Sequence, residues 1–373
     1  MVTAAGRTES CDHTKMDSRL ATLLEVLERS QVFRQNPCAA SLRQIASTAP
    51  GPALQFEITP DQPLQTRSCP PGGPVLLQTL SPGSGEARWL DAGQAEWVME
   101  PYWILAAAAE RYFHGQFAGR LILGCGLGSP LGAWPLAITM NGAACLVLEP
   151  DAEALKTCLR QGWIDFQVNH LDEALRILKN AVRKQQAIAV GLKADVAQAV
   201  SALARIGVVP DLGLNLNLDA NASRQDQALP AGLRTLENLG TVVYAFTSAK
   251  SSGAWPGQVP HDLQPMLSRG LRPLRWFAPQ ASQREMARLD ARLAETFISD
   301  APLARWLQSY SRHFRNAFIP SRAAWLDENQ FVTWQTVLAG EISAGNLPGP
   351  VLLCRDEGQE HGGRISYDVV RHA

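Results

Sequence analysis

Residues 119–151 read GRLILGCGLGSPLGAWPLAITMNGAACLVLEPD. The segment opens on an apolar run, Leu121-Ile122-Leu123, passes four closely spaced glycines (Gly124, Gly126, Gly128 and Gly132) and enters a stretch of helix-forming residues. A second apolar run, Cys145-Leu146-Val147-Leu148, ends on Glu149. Strand, glycine turn, helix, strand, acid is the order of a βαβ nucleotide-binding unit. Glycines where a buried strand leaves its sheet permit positive φ and let backbone N–H groups approach a pyrophosphate, which the positive end of the next helix also favours. Ser129-Pro130 fits an N-cap followed by proline at the first helical position. Glu149 lies 23 residues after Gly126, near the roughly 20 that separate such a turn from a carboxylate on the ribose hydroxyls. The spacing is GxGxxxG rather than GxGxxG, and Pro130 removes one N–H from the phosphate region. A tight strand-to-helix turn with no ligand fits the same pattern.

Working outward, the alternation continues. Residues 97–117 read as a helix delivering the chain to the first strand. After Glu149 a helix over 152–160 is expected, with Asp151 as N-cap and Gly162 as stop, then a strand over 163–168. Leu171, Leu175, Leu178 and Val182 recur at helical spacing. A strand over 187–192, a helix over 195–206 stopped by Gly207, and strands over 208–216 and 241–246 complete the set. Strands separated by helices of this length predict a Rossmann-like parallel sheet with helices on both faces, in a domain spanning 97–255. Before it, residues 1–17 read as a disordered leader. Residues 18–96 read as a loop-rich region with short helices at 18–29 and 39–47 and short strands at 53–58 and 75–79. After it, residues 256–373 read as mainly helical, over 283–297, 302–314 and 332–343, with a last strand at 351–354. Arg269, Arg272 and Arg275 bunch near the start of that region; a solvated or internally paired face is the favoured reading over an anion site.

Composition sets the bounds. The chain has 373 residues, 46% of them hydrophobic and 18% charged, which is ordinary for two or three folded domains. A net charge of −1 argues against a broad phosphate-neutralising surface, so nucleic acid is not an expected partner. The longest apolar stretch, around 104–109, is far short of a membrane span. The N-terminus carries Arg7, Glu9, Asp12 and Lys15 and no signal-peptide core, so a cytoplasmic location is expected. Seven cysteines, odd in number and without CxxC spacing, point to reduced thiols and to no metal site.

Several blocks carry a resemblance. Besides FAGRLILGCGLGSPLGAWPLAITMNGAACLVLEPD they are IDFQVNHLDEAL (164–175), RIGVVPDL (205–212), LPAGL (229–233), VPHDLQPMLSRGLRPLRW (259–276), DAPLARWL (300–307), IPSRAAWL (319–326) and GNLPGPVLLCRD (345–356). In order and phrasing they resemble the urocanase family, the urocanate hydratases of histidine breakdown, from about residue 107 to 356. The resemblance implies a tightly held NAD that serves as an electrophile toward the substrate's imidazole, water addition, and no net redox change. It implies that Glu149 is the ribose-binding acid, that Gly126, Gly128 and Gly132 belong to the cofactor loop, and that Arg322 lies in a matching block of the site.

The departures from the family are specific. Where its loop reads GLGGMGGAQ, this chain has GLGSPLGAW, so Ser129, Pro130 and Leu131 replace residues that let NAD phosphates approach the backbone, Ser129 and Leu131 by adding β-carbons and Pro130 by removing an N–H, and NAD binding is expected to be weakened. Its TDQTSAHD segment corresponds to the region from Asn215 to Ser223. Its essential cysteine is Ser268 here, and a hydroxyl is less ionisable and less nucleophilic than a thiol. Its YGG and DYGNN segments and its final glycine- and histidine-rich part find no match. His261 is the histidine placed for a pocket beside Ser268, with His170 expected to cap a helix and His361 to lie in a solvated loop. Two functions follow. The first expectation is a catalytically impaired or silent relative that acts as a binding or regulatory subunit, with an imidazole or nucleotide ligand and a protein partner or homo-oligomer. The alternative is an active hydro-lyase that uses NAD without net redox on urocanate or a related imidazole acrylate.

Overall fold

The computed structural model describes residues 54–59, 62–68, 76–79, 94–128, 133–218, 231–247, 261–263, 265, 270–278, 281–314, 321–348, 351–356 and 365–370. The expected leader, the two helices before residue 50, Ser129 to Gly132, Ser268, Arg269 and His361 lie outside the described residues.

Strands β1 (Leu54–Thr59), β2 (Gln62–Ser68) and β3 (Leu76–Thr79) form a small sheet in which β1 pairs antiparallel with β2 and parallel with β3. Helix α1 (Gln94–Phe113) leads to β4 (Leu121–Cys125), the glycine turn and α2 (Ala133–Met140). There follow β5 (Ala144–Glu149), α3 (Ala152–Gln161), β6 (Phe166–Val168), α4 (Leu171–Arg183), β7 (Ile188–Lys193), α5 (Val196–Arg205), β8 (Leu212–Leu218), α6 (Ala231–Asn238) and β9 (Val242–Thr247). The strands from β4 to β9 make a wholly parallel sheet in the order β6-β7-β5-β4-β8-β9. The chain builds outward from β4 through β5 to the edge strand β6, inserts β7 between β5 and β6, and then returns to β4 to place β8 on its other side. The carboxyl ends of β4 and β8 therefore flank a topological switch point, where an open sheet of this kind leaves a crevice for ligands.

Local chemistry explains where the helices start and stop. The Asp151 carboxylate accepts from the Glu153 N–H at 2.8 Å, and Gly162 closes α3 at φ 72°, as the sequence predicts. Asp195 caps α5 through the Gln198 N–H. His170 occupies the N-cap position of α4, but its side chain makes no capping bond; its extended backbone alone starts the helix.

Both faces of the sheet are covered. Leu123, Cys125, Leu146, Leu148 and Leu192 pack with α4, α5 and α6. Ile122, Cys145, Val147 and Ala189 face the other way, into a core shared with α1, α2, α3 and the C-terminal part of the chain. Alternate residues of each strand thus serve two cores, which is why the strands read as continuous apolar runs.

The C-terminal part carries the three expected helices, α7 (Gln283–Thr296), α8 (Ala301–His313) and α9 (Glu328–Ser343). With them comes a four-stranded antiparallel sheet, of which the sequence reading anticipates only the strand at 351–354. Its strands are β10 (Arg272–Phe277), β11 (Ser321–Leu326), β12 (Val351–Asp356) and β13 (Ile365–Val370), in the order β11-β10-β12-β13. Helix α1 packs against β11 as well as against α2, so it is enclosed between the two layers. Its apolar residues at 98, 99 and 102–109 are all buried, the pattern of a helix hydrophobic all round. Among the described residues no helix is long and apolar enough to cross a membrane.

Candidate functional site

The glycine turn after β4 is held from two sides. The Gly126 N–H donates to the Leu148 carbonyl at 2.8 Å, and the Leu127 N–H donates to Glu149 Oε2 at 3.2 Å. Glu149 Oε1 accepts from the Asp151 N–H at 3.0 Å. The acid at the end of β5 therefore ties its own helix entry to the turn after β4. Each carboxylate oxygen can accept more than one hydrogen bond and Glu149 is half-buried, so accepting capacity remains on the side toward solvent.

Gly126 and Gly128 have φ of 89° and 73°, which a side chain rarely adopts. Gly128 has a second constraint. A Cβ there would lie 2.6 Å from Cδ1 and 3.0 Å from Nε1 of Trp134, in the first turn of α2. Trp134 is 5% exposed and its ring lies 4.6 Å from that of Phe246 on β9. At the neighbouring strand end, Asn215 of β8 is in register with Cys125 of β4 and is a buried polar residue. Glycine spacing gives no hint of Trp134; Asn215 is signalled by its place at the start of the region that corresponds to the family's TDQTSAHD segment and by an amide inside an apolar strand.

The structure thus brings together Gly126, Gly128 and Glu149 at the switch point, and it places His261 and Arg322 elsewhere. Gly132 and Ser268 lie outside the described residues. His261 is exposed, next to Asp262, whose carboxylate accepts hydrogen bonds from the hydroxyls of Tyr112 at the end of α1 and of Tyr244 on β9. Burial of Asp262 works to raise its proton affinity, but these two hydroxyls and its own backbone N–H outweigh it and hold the carboxyl below the usual range.

Arg322 on β11 is 1% exposed, and its Nε lies 3.0 Å from both carboxylate oxygens of Asp290 on α7. The Ser311 hydroxyl donates to the same carboxylate at 2.6 Å, and the guanidinium stacks 4.6 Å from the Tyr310 ring centre. Burial raises the Asp290 carboxyl, while Arg322 and Ser311 pull it down. This is a sealed ion pair inside the C-terminal layer. Arg272 and Arg275 lie on β10, the strand paired with β11, opposite Leu326 and Ala323. A groove of about 830 Å³ opens between the start of α4 and α5, with Asn169, Lys193, Asp195, Gln198 and Arg205 among its lining residues.

Against this geometry the comparisons with known proteins are specific. Residues 98–217 match the urocanase Rossmann-like domain, and residues 265–365 match the urocanase C-terminal domain. The chain belongs to the urocanase family. Among its relatives is the S-methyl thiourocanate hydratase of Variovorax sp. (strain JCM 16519 / RA8), 27% identical over 316 residues that cover 74% of this chain and 58% of the relative. The chain therefore spans less than two thirds of the length of that curated relative.

A urocanase Rossmann-like domain is consistent with NAD, and the residues present fit it. The turn combines two glycines at positive φ with a half-exposed acid on the adjacent strand end. Cys125, Cys145 and Cys158 are buried and form no disulfide; burial pushes the Cys125 thiol up to about 12 and Cys158 up to about 11, so neither supplies a thiolate near neutral pH.

Proposed function

We propose that this chain binds NAD across the carboxyl ends of β4, β5 and β8 and is a hydro-lyase acting on an imidazole acrylate of the urocanate class. The observation that carries this reading is the meeting of Gly126, Gly128 and Glu149 at the switch point. Glu149 accepts ribose hydroxyls with the lone pairs that the Leu127 and Asp151 N–H groups leave, and the turn together with the start of α2 presents N–H groups and a positive helix end to the pyrophosphate. When bound, NAD supplies an electron-poor ring toward which the substrate's imidazole is nucleophilic. A relative described as an S-methyl thiourocanate hydratase supports the substrate class.

A second reading, a silent relative that binds the nucleotide and serves as a binding or regulatory subunit, draws on two observations. Arg322 is committed to Asp290, and Ser268 stands where the family has its cysteine. One experiment separates the two. Purified protein is titrated with NAD and then incubated with NAD and either urocanate or S-methyl thiourocanate, following loss of the substrate's ultraviolet absorbance. Binding with turnover of either substrate supports the hydro-lyase, binding without turnover supports the silent relative, and no NAD binding sinks both.

A further inference from the structure

The indole of Trp134 is the feature of the crevice that neither the glycine pattern nor the acid explains. It comes from the first turn of α2, fills the space where Gly128 would carry a Cβ, and rests on Phe246 of β9. The same Cβ would lie 3.5 Å from Cβ of Leu216 on β8. Sheet order then fixes which half of a dinucleotide it serves. Glu149 ends β5, on one side of β4, whereas Leu216 and Phe246 belong to β8 and β9, on the other. A ligand with its adenosine ribose on Glu149 and its pyrophosphate at the turn must lay its second half over β8 and β9.

We infer that Trp134 is a positioning residue for the nicotinamide half of NAD: its indole fills the space that a side chain at Gly128 would need and forms the floor over β8 and β9. This rests on the dinucleotide reading proposed above. It adds that the glycine at 128 is required by the indole as well as by its backbone angle, so that the two positions act as one unit. A side chain added at 128 then collides with the indole, whereas loss of the indole weakens a ligand that reaches past the pyrophosphate while sparing one that stops there.

Calorimetric titration with NAD and with ADP, which has the adenosine and diphosphate but no nicotinamide half, tests this on the full chain. In Trp134→Ala, NAD binding is expected to weaken about tenfold with ADP nearly unchanged. Gly128→Ala is expected to weaken both ligands, because the added methyl meets the indole and the backbone is strained. The double variant is expected to bind NAD no more weakly than Gly128→Ala alone, since removing the indole makes room for the methyl. Equal losses of NAD and ADP in Trp134→Ala, no loss of either, or multiplicative effects in the double variant overturn the inference. If Trp134→Ala does not fold, Trp134→Phe, which lacks the Nε1 edge facing Gly128, is expected to show the same split between NAD and ADP in milder form, and wild-type affinities for both overturn it. A wild-type protein that binds neither ligand overturns the dinucleotide reading and this inference with it; wild-type binding of both, with no NAD-selective loss in the Trp134 variants, overturns the inference alone.

Discussion

Glu149 performs two tasks that a single carboxylate can combine. It fixes the turn by accepting the Leu127 and Asp151 N–H groups, and in the dinucleotide reading proposed above its remaining lone pairs take the ribose hydroxyls. Glutamine at this position retains one accepting oxygen and loses the charge. Glu149→Gln is therefore expected to weaken NAD binding about tenfold or more, the scale of losing a hydrogen bond to an ionised group, with a much smaller change in melting temperature. Calorimetric titration beside a thermal scan checks it; an unchanged affinity would remove Glu149 from the site. Arg322 is the opposite case, a residue placed by resemblance in the site and by structure in a buried pair. Removing one partner of such a pair leaves a charge stranded, so Asp290→Ala is expected to cost about 3–5 kcal/mol in urea unfolding. Replacing both partners, as Asp290→Leu with Arg322→Met, is expected to recover most of that loss. Below the unfolding range NAD affinity should stay at the wild-type value in both variants, and a selective loss there would tie the pair to the crevice after all.

At the scale of elements, the ends of α3 show how far local chemistry can be read from sequence. Asp151 and Gly162 stand out as start and stop signals, and both are found in those roles. A Cβ at Gly162 would meet nothing within 4 Å, so the φ of 72° is the only obstacle to alanine. Gly162→Ala is expected to destabilise by about 1 kcal/mol, and Gly162→Asn by less, because asparagine tolerates the left-handed region better; a neutral alanine would mean the helix ends otherwise. The parallel sheet was legible for a related reason: its central strands are buried on both faces and helices separate them, two of these carrying carboxylate N-caps at Asp151 and Asp195. The C-terminal sheet was not legible. Strand β10 reads Arg-Pro-Leu-Arg-Trp-Phe, and its partners lie some fifty and eighty residues further along the chain, with Arg272 opposite Leu326 and Arg275 opposite Cys354. Periodicity sees neither an antiparallel pairing across such separations nor a strand whose buried cation, Arg322, is neutralised by a carboxylate from a distant helix. Within the site, the turn and Glu149 were legible because glycines and acids have position-specific jobs. Trp134 was not, since an indole gains its role only from what the fold sets beside it; Asn215 was legible only through the resemblance of its region.

For the whole molecule the decisive element is α1. It lies between the parallel sheet and the C-terminal layer, and its side chains reach into both. The Tyr102 hydroxyl donates to the Pro302 carbonyl at 2.6 Å, while the Tyr102 carbonyl accepts from Asn141 at the end of α2. Trp103 stacks on Trp325 of β11 at 6.5 Å, and Tyr102 lies 5.0 Å from Trp306 of α8. A helix buried on every side cannot stay ordered when either layer melts, because the exposed half would present a broad apolar face to water. The two layers should therefore unfold together, even though a nucleotide would touch only the first. Scanning calorimetry of the protein is expected to show one transition, raised by several degrees when NAD is present at a hundred times its dissociation constant, a stabilisation of about 2.7 kcal/mol by mass action. Trp103→Ala is expected to lower that same transition by removing a buried indole worth about 3–5 kcal/mol, without splitting it. Two separate transitions in the wild-type protein, with NAD moving only one of them, would show that α1 does not couple the layers and that the nucleotide-binding half is stable without the rest.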